Sequence, residues 1–210
     1  MGINYSRIKL DLNNQKLTKL PDDITKYINL IELDCQDNAI TRLDNLPPGL
    51  QILNCSFNKI TSLDNLPPGL QKLHCVGICI DTLDNLPPGL QKLYCHGNAI
   101  VRLDNLPLGL LELDCGGNAI TSLDNLPTGL QILNCSGNCI AGLDNLPPGL
   151  VTLYCQDTAI VRLDNLPPGL LELYCNNNPL QYNFEPTIEN IRNNNNASRH
   201  TCLFFIRELS

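Results

Sequence analysis

Lys72, His74, Lys92, Tyr94 and His96 form the densest set of chemically capable side chains in this chain. Lys72 and Lys92, like His74 and Tyr94, are 20 residues apart, so they occupy matching places in two copies of one segment. Such groups can hold an anion, donate hydrogen bonds or move a proton. Catalysis also requires a pocket, an activated nucleophile and a shielded acid or base. The pattern supplies none of these, so the set reads as a recognition patch and the protein as a non-enzyme.

Two other recurring residue types invite chemistry. Of eleven cysteines, eight recur at one position, from Cys35 and Cys55 to Cys175. Stacked about 5 Å apart they would fall within disulfide range, but parallel side chains pointing into a core are poorly aimed for bonding. No histidine shares their face, so they read as small core residues and neither a metal nor a cofactor is expected. Cys79 and Cys139 take the place of Ala39, Ala99 and Ala119, nearer the surface, and are the more reactive thiols. Seven aspartates, Asp44 to Asp164 at intervals of 20, form an acidic stripe. Neighbouring charges about 5 Å apart in water repel by roughly 0.8 kcal/mol, so backbone N–H groups or Asn45 and its copies are expected to offset them. Calcium is the minor alternative.

These positions recur because residues 41–60, TRLDNLPPGLQILNCSFNKI, return six more times without insertion or deletion. A strict period of this length specifies a solenoid, in which each repeat packs only on its neighbours. The spacing Leu50-x-x-Leu53-x-Cys55-x-x-Asn58-x-Ile60 resembles the leucine-rich repeat family. The short repeat and the segment Leu46-Pro47-Pro48-Gly49-Leu50 look like the subclass of secreted bacterial effectors. The uniform copies also look like repeat proteins of giant DNA viruses. The resemblance implies a right-handed solenoid with a concave parallel β-sheet, an extended, polyproline-like convex side with little helix, and a binding module acting in a host cell. In this family the cysteine position is reserved for small apolar core residues.

The elements follow. Leu-x-Cys is a short strand whose alternate residues point inward, and eight or nine stacked strands at roughly 4.8 Å give a sheet on the order of 40 Å long. Pro47-Pro48 forbids regular helix and Gly49 permits an unusual backbone angle, so the segment is expected to be extended or polyproline-like. Residues 1–20 hold an N-terminal cap and first imperfect repeat, and 21–180 the tandem array, with a short helical turn over 21–27. Residues 181–192 read as a C-terminal cap with a helix starting near Pro186-Thr187, and 193–210 as an Asn-rich linker and apolar tail. Asn38, Asn58, Asn98, Asn118, Asn138 and Asn178 form a buried ladder for backbone groups at the bend. Ile78 and Thr158 interrupt it, and those turns should be weaker or hydrated.

The outward columns of the sheet are where the copies differ. Lys72, His74, Lys92, Tyr94 and His96 make a basic, aromatic centre between Glu32/Asp34 and Glu112/Asp114. Tyr154 and Tyr174 add aromatic anchors, Asp114 an acidic contact, and Phe57 an exposed apolar one. The opposing reading is that residues 111–135 nearly repeat 31–55, so the surface carries leftovers of copying. Acids outnumber bases 21 to 14, for a net charge of −7; apart from the aspartate stripe the two balance at 14 each. A stripe of that sign repels phosphate, so a protein or peptide is expected as partner and nucleic acid is not. The odd number of thiols and the lack of an apolar leader point to a reducing cytoplasm and a monomer. Met1-Gly2-x-x-x-Ser6 fits the N-myristoylation pattern at Gly2, the one route to a membrane. The alternatives are a structural, self-assembling repeat protein, or a scaffold that recruits substrates for a partner enzyme such as a ubiquitin ligase.

Overall fold

The computed structural model describes residues 8–194. Gly2 and its myristoylation pattern, and the apolar segment Cys202 to Ile206, lie outside them. Nine three-residue strands form one parallel sheet in chain order: β1 Lys9–Asp11, β2 Glu32–Asp34, β3 Ile52–Asn54, β4 Lys72–His74, β5 Lys92–Tyr94, β6 Glu112–Asp114, β7 Ile132–Asn134, β8 Thr152–Tyr154 and β9 Glu172–Tyr174. Because the repeat length is constant, equal positions pair: Leu33 with Leu53, Leu53 with Leu73, and so on to Leu173. Each inward Leu therefore lands on another Leu, and Leu33 to Leu153 are fully buried or within 1% of it. The leucine-rich repeat solenoid expected from the repeat is the fold observed.

The convex side has almost no helix, and its bends come from turns. Leu50 N–H donates to Pro47 C=O at 3.1 Å, and the same bond recurs from Leu70 to Pro67 and onward to Leu170 and Pro167. Gly49 and its copies inside these turns permit a left-handed backbone but do not adopt it; Gly69, for example, has no atom within 4 Å of where a Cβ would stand. The left-handed residue is the asparagine of Leu-Asp-Asn-Leu: Asn45, Asn65, Asn85, Asn105, Asn125, Asn145 and Asn165 all have φ between 60° and 65°. Asparagine is the common non-glycine residue there because its short polar side chain bonds locally. The helical turn expected over 21–27 is a 3-10 turn at Ile24–Lys26 that buries Ile24.

Asparagine holds the other bend. Asn58 Nδ2 donates to Cys35 C=O at 2.9 Å and Cys55 C=O at 3.1 Å, while its Oδ1 accepts the Ile40 N–H at 2.9 Å. Asn118 and Asn138 repeat all three contacts. Each Cys carbonyl is thus offered two donors and each Ile amide one acceptor. Where the ladder fails, the carbonyl keeps a partner: Asn58 still serves Cys55, and Asn98 serves Cys75. The amide does not. Among the described residues no acceptor faces Ile60 N–H, where Ile78 replaces asparagine, or Ile140 N–H, where Thr158 does.

The two breaks differ in consequence. Thr158 donates its hydroxyl to Asn178 Oδ1 at 2.5 Å and keeps the local turn, so Ala159 N–H still reaches Ile140 C=O. Ile78 is buried and offers no polar atom, and Cys79 swings to φ 66°. Gln15, the other departure from asparagine, is likewise followed by a left-handed residue, Lys16 at φ 59°.

The C-terminal end is closed by Ile191, which is fully buried, on a helix α1 over residues 188–194, two residues beyond the expected cap. Thr187 Oγ1 accepts the Asn190 N–H. Tyr182 Oη accepts the Leu163 N–H at 2.6 Å, and Arg192 Nη2 donates to the carbonyls of Pro167, Pro168 and Leu170. Phe184 and Ile188 pack against the core.

Two substitutions measure the ladder. Thr158→Asn restores the acceptor for Ile140 N–H and should raise the unfolding free energy by about 1 kcal/mol. Cys79→Gly relieves the left-handed strain and should add about 0.5–1 kcal/mol, the steric relief exceeding the entropy that glycine loses on folding. Urea denaturation of each variant beside the parent checks both; a loss of stability in either would refute that assignment.

Candidate functional site

Each strand presents two outward residues, so the concave face is a grid with one row per repeat. His74 and Tyr94 are register partners on β4 and β5, and their rings stack at 4.3 Å between centroids with 10° between planes. Lys72 holds its ammonium 5.3 Å from the Tyr94 ring centre. Tyr94 Oη donates to Glu112 Oε1 at 2.7 Å, and Lys92 Nζ lies 2.8 Å from Glu112 Oε2. His96 Nδ1 is 3.9 Å from Asp114 Oδ1. The structure therefore brings Lys72, His74, Lys92, Tyr94 and His96 together, with Glu112 and Asp114 joined to them.

Their electrostatics differ from the basic patch read from the sequence. Lys92 is neutralised by Glu112. Burial, then the Lys72 charge, pushes His74 below its ordinary value of 6.5, so it is a neutral ring at pH 7. Burial, then the hydrogen bond to Glu112, raises the Tyr94 phenol and keeps it a donor. Glu112 is held low by Lys92 and Tyr94, which outweigh its partial burial, the largest single effect on it. Lys72 is left as the central cation with no carboxylate partner among the described residues.

The outlying candidates fall in two places. Tyr154 and Tyr174 stack at 4.6 Å with 5° between planes on β8 and β9. They form a second aromatic platform separated from the first by the Asp114 and Asn134 rows. Phe57 lies on the turn that follows β3, 54% exposed and at φ 53°, where other copies carry Gly, Asp or Asn. Its ring lies over Gly77, where an added Cβ would come within 3.1 Å of it. His96 is seated in the same way: a Cβ at Gly116 would be 2.8 Å from its Nδ1, and one at Gly117 3.3 Å from Cε1 and Nε2. Gly116 and Gly117 were not singled out in the sequence. The signal was present, since they stand where the near-identical block has Gln36 and Asp37.

The aspartate stripe is offset locally, mostly by the residue two positions earlier. Arg42, Arg102 and Arg162 pair with Asp44, Asp104 and Asp164 at 2.7–3.0 Å. Ser122 Oγ donates to Asp124, and Asp64 accepts from Asn85 Nδ2. The Asn85 contact is of the Asn45 kind expected. The cysteine column is wholly buried from Cys35 to Cys155, and Cys79 and Cys139 are exposed. Burial pushes the Cys35 thiol up to about 12 and the thiols of Cys55 to Cys135 well above their usual range. Cys55, Cys115 and Cys135 donate Sγ–H to a carbonyl of the next repeat at 3.3–3.4 Å. Among the described residues no three His, Cys, Asp or Glu side chains gather to hold a metal, and no helix is long and apolar enough to cross a membrane.

The repeat, the register and the comparisons agree on a class. Residues 28–68 match the family of leucine-rich repeats in two copies. No curated protein matches. Among solved structures, YopM from Yersinia pestis, a leucine-rich effector protein, aligns with a TM-score of 0.73 at 31% identity over 79% of this chain and 47% of that one. YopM from Yersinia enterocolitica aligns at 0.69 and 28% over 87% and 49%. The functional domain of InlJ from Listeria monocytogenes, which includes a cysteine ladder, aligns at 0.65 and 30% over 81% and 44%. The chain spans about half the length of these structures. It is a leucine-rich repeat protein with short, 20-residue repeats, similar to the repeat domains of bacterial effectors. The fold is that of a protein-interaction module.

His74 gives a pH test of the site. Its folded value lies below 6.5, so above 6.5 its protonation leaves stability unchanged. As pH falls below 6.5 the unfolded chain takes up the proton first and stability is lost. Between pH 7 and 5 the melting temperature of the parent should fall further than that of His74→Gln. Equal slopes would show that the ring titrates alike in both states.

Proposed function

We propose that this protein is a non-catalytic binding module that takes a protein or peptide on the middle of its concave sheet, and that it acts in the cytoplasm of a host cell. The observation that carries the central location is the pair Gly116-Gly117. Residues 111–135 keep the sequence of 31–55 at all but five positions, and two of the five lie under the His96 ring. Leftover copying would scatter its changes. Here two of them clear space for the His96 ring, which leans onto that repeat. Phe57 argues the same way, since a bulky side chain at positive φ is strained and retention of such strain points to use. A rigid sheet loses little entropy on binding, so modest contacts spread over several repeats give useful affinity. The likeness to YopM supports the host-directed role.

Affinity capture from cytosolic extract, with the parent beside a variant carrying Lys72→Ala, His74→Ala, Tyr94→Ala and His96→Ala, tests the reading. All four side chains face outward, so the stack should melt as before. A partner held by the parent and lost by the variant is expected. Gly116→Gln should weaken that same partner about tenfold or more by displacing His96, as loss of one buried contact of 1–2 kcal/mol does. Retention of every partner by the fourfold variant would move the function off the central face.

A further inference from the structure

Once the internal ion pairs are removed, three charges remain along the central concave face, each on every second strand. Lys9 and Glu32 neutralise each other at 2.6 Å, as do Lys92 and Glu112 at 2.8 Å. Asp34 on β2 accepts only from neutral donors, the Gln36 N–H at 3.1 Å and Asn54 Nδ2 at 3.2 Å, and so keeps its charge. Asp11, beside it on β1, extends that acidic end. Lys72 on β4 rests against the Tyr94 ring and forms no contact ion pair among the described residues, its charge reaching Glu112 only at longer range. Asp114 on β6 accepts the Gly116 N–H at 3.1 Å and has His96 3.9 Å away. The order is negative, positive, negative at β2, β4 and β6.

The spacing selects a ligand conformation. The rows of the three charges lie two sheet spacings apart, roughly 9.6 Å, with Asp34 and Asp114 in one outward column and Lys72 in the column beside it, its ammonium leaning toward Tyr94 in the aspartates' column. A polyproline-II helix has three residues per turn and advances about 9.3 Å in them, so its residues i, i+3 and i+6 point to one side at nearly that interval. A β-extended peptide covers a similar distance in three residues but turns the middle one away, because its side chains alternate. Between the charges lie the His74–Tyr94 stack and the half-buried Ile52, an apolar and aromatic floor of the kind on which polyproline-II segments dock.

We infer that the central concave face recognises a polyproline-II segment of a partner protein with the pattern basic-x-x-acidic-x-x-basic, its acid on Lys72 and its two bases on Asp34 and Asp114. The inference rests on the concave-face reading above and specifies the partner's chemistry. The pattern is symmetric, so either chain direction satisfies it.

The test is fluorescence anisotropy of the full chain with labelled synthetic peptides. Arg-Pro-Pro-Glu-Pro-Pro-Arg is the matched probe, and Arg-Arg-Pro-Pro-Pro-Pro-Glu has the same composition and net charge in the wrong order. The matched probe should bind at least about tenfold more tightly, since like charges brought together at an interface are strongly disfavoured. With Lys72→Glu the preference should move to Arg-Pro-Pro-Arg-Pro-Pro-Arg, a reversal that loss of structure cannot produce. Equal binding of the two isomeric probes, or saturable binding of neither, overturns the inference. If the fourfold alanine variant nevertheless loses a captured partner, the concave site stands and only the polyproline-II pattern falls.

Discussion

Six of the repeats are closed by one side-chain amide that serves two repeats at once. At the exit of each strand the chain leaves the sheet and its backbone groups lose their ladder partners. An unpaired buried polar group costs about 1–3 kcal/mol, so the bend is stable only if a side chain supplies what the sheet no longer can. Asparagine carries donor and acceptor on one short arm, which is why Asn58 reaches its own Cys55 carbonyl, the preceding Cys35 carbonyl and the preceding Ile40 amide. The arrangement makes neighbouring repeats obligatory to one another, as expected of a linear array whose stability lies in its nearest-neighbour interfaces. It also ranks the backbone groups. With two donors offered to each carbonyl and one acceptor to each amide, a missing asparagine strands an amide, and both interruptions do so.

The same bond explains the core. In the array the residue whose carbonyl the ladder grips benefits from a side chain that is small and polarisable enough to fill the gap between repeats, while the end repeat has Leu12 there. Cysteine meets both demands. Its buried thiol is a poor acid and a weak donor, and the Sγ–H contacts to carbonyls of the next repeat use it as such. With Leu, Ile and Cys repeated at fixed positions, the interior of one repeat is nearly that of any other. Whatever distinguishes the repeats must lie on the surface.

The repetition made the fold legible before any coordinate. A fixed period gave the strand positions, the register and the inward leucines, because insertion-free copies can stack in only one way. Asn58 and its relatives were legible from the signature spacing. What escaped were choices that depend on backbone angle. Gly49 and Asn45 both tolerate left-handed φ, and only the turn geometry decides that Asn45 takes it. The partners of the aspartates were hidden for a similar reason, since Arg42 reaches Asp44 within an irregular stretch to which neither helix nor strand periodicity applies. On the concave face the sequence named the charged and aromatic residues correctly by row. It could not say that Lys92 is cancelled by Glu112 or that His74 is neutral, because both follow from side-chain reach and burial.

The neutralisation changes how the surface works. Five polar and aromatic side chains packed without partners would be mobile and strongly hydrated, and a ligand would have to order them and strip their water. Here the Lys92–Glu112–Tyr94 cluster is already assembled, the His74 ring is fixed against Tyr94, and His96 is seated on two glycines. In the proposed role a partner would meet a surface whose ordering was completed during folding. The price is selectivity by shape and by the few unpaired charges, Lys72 with Asp34 and Asp114 to either side, since the paired charges have little left to offer. An array grown by copying thus acquires a distinct face through a few departures from its own consensus, each of which alters what leans on it from the neighbouring repeat.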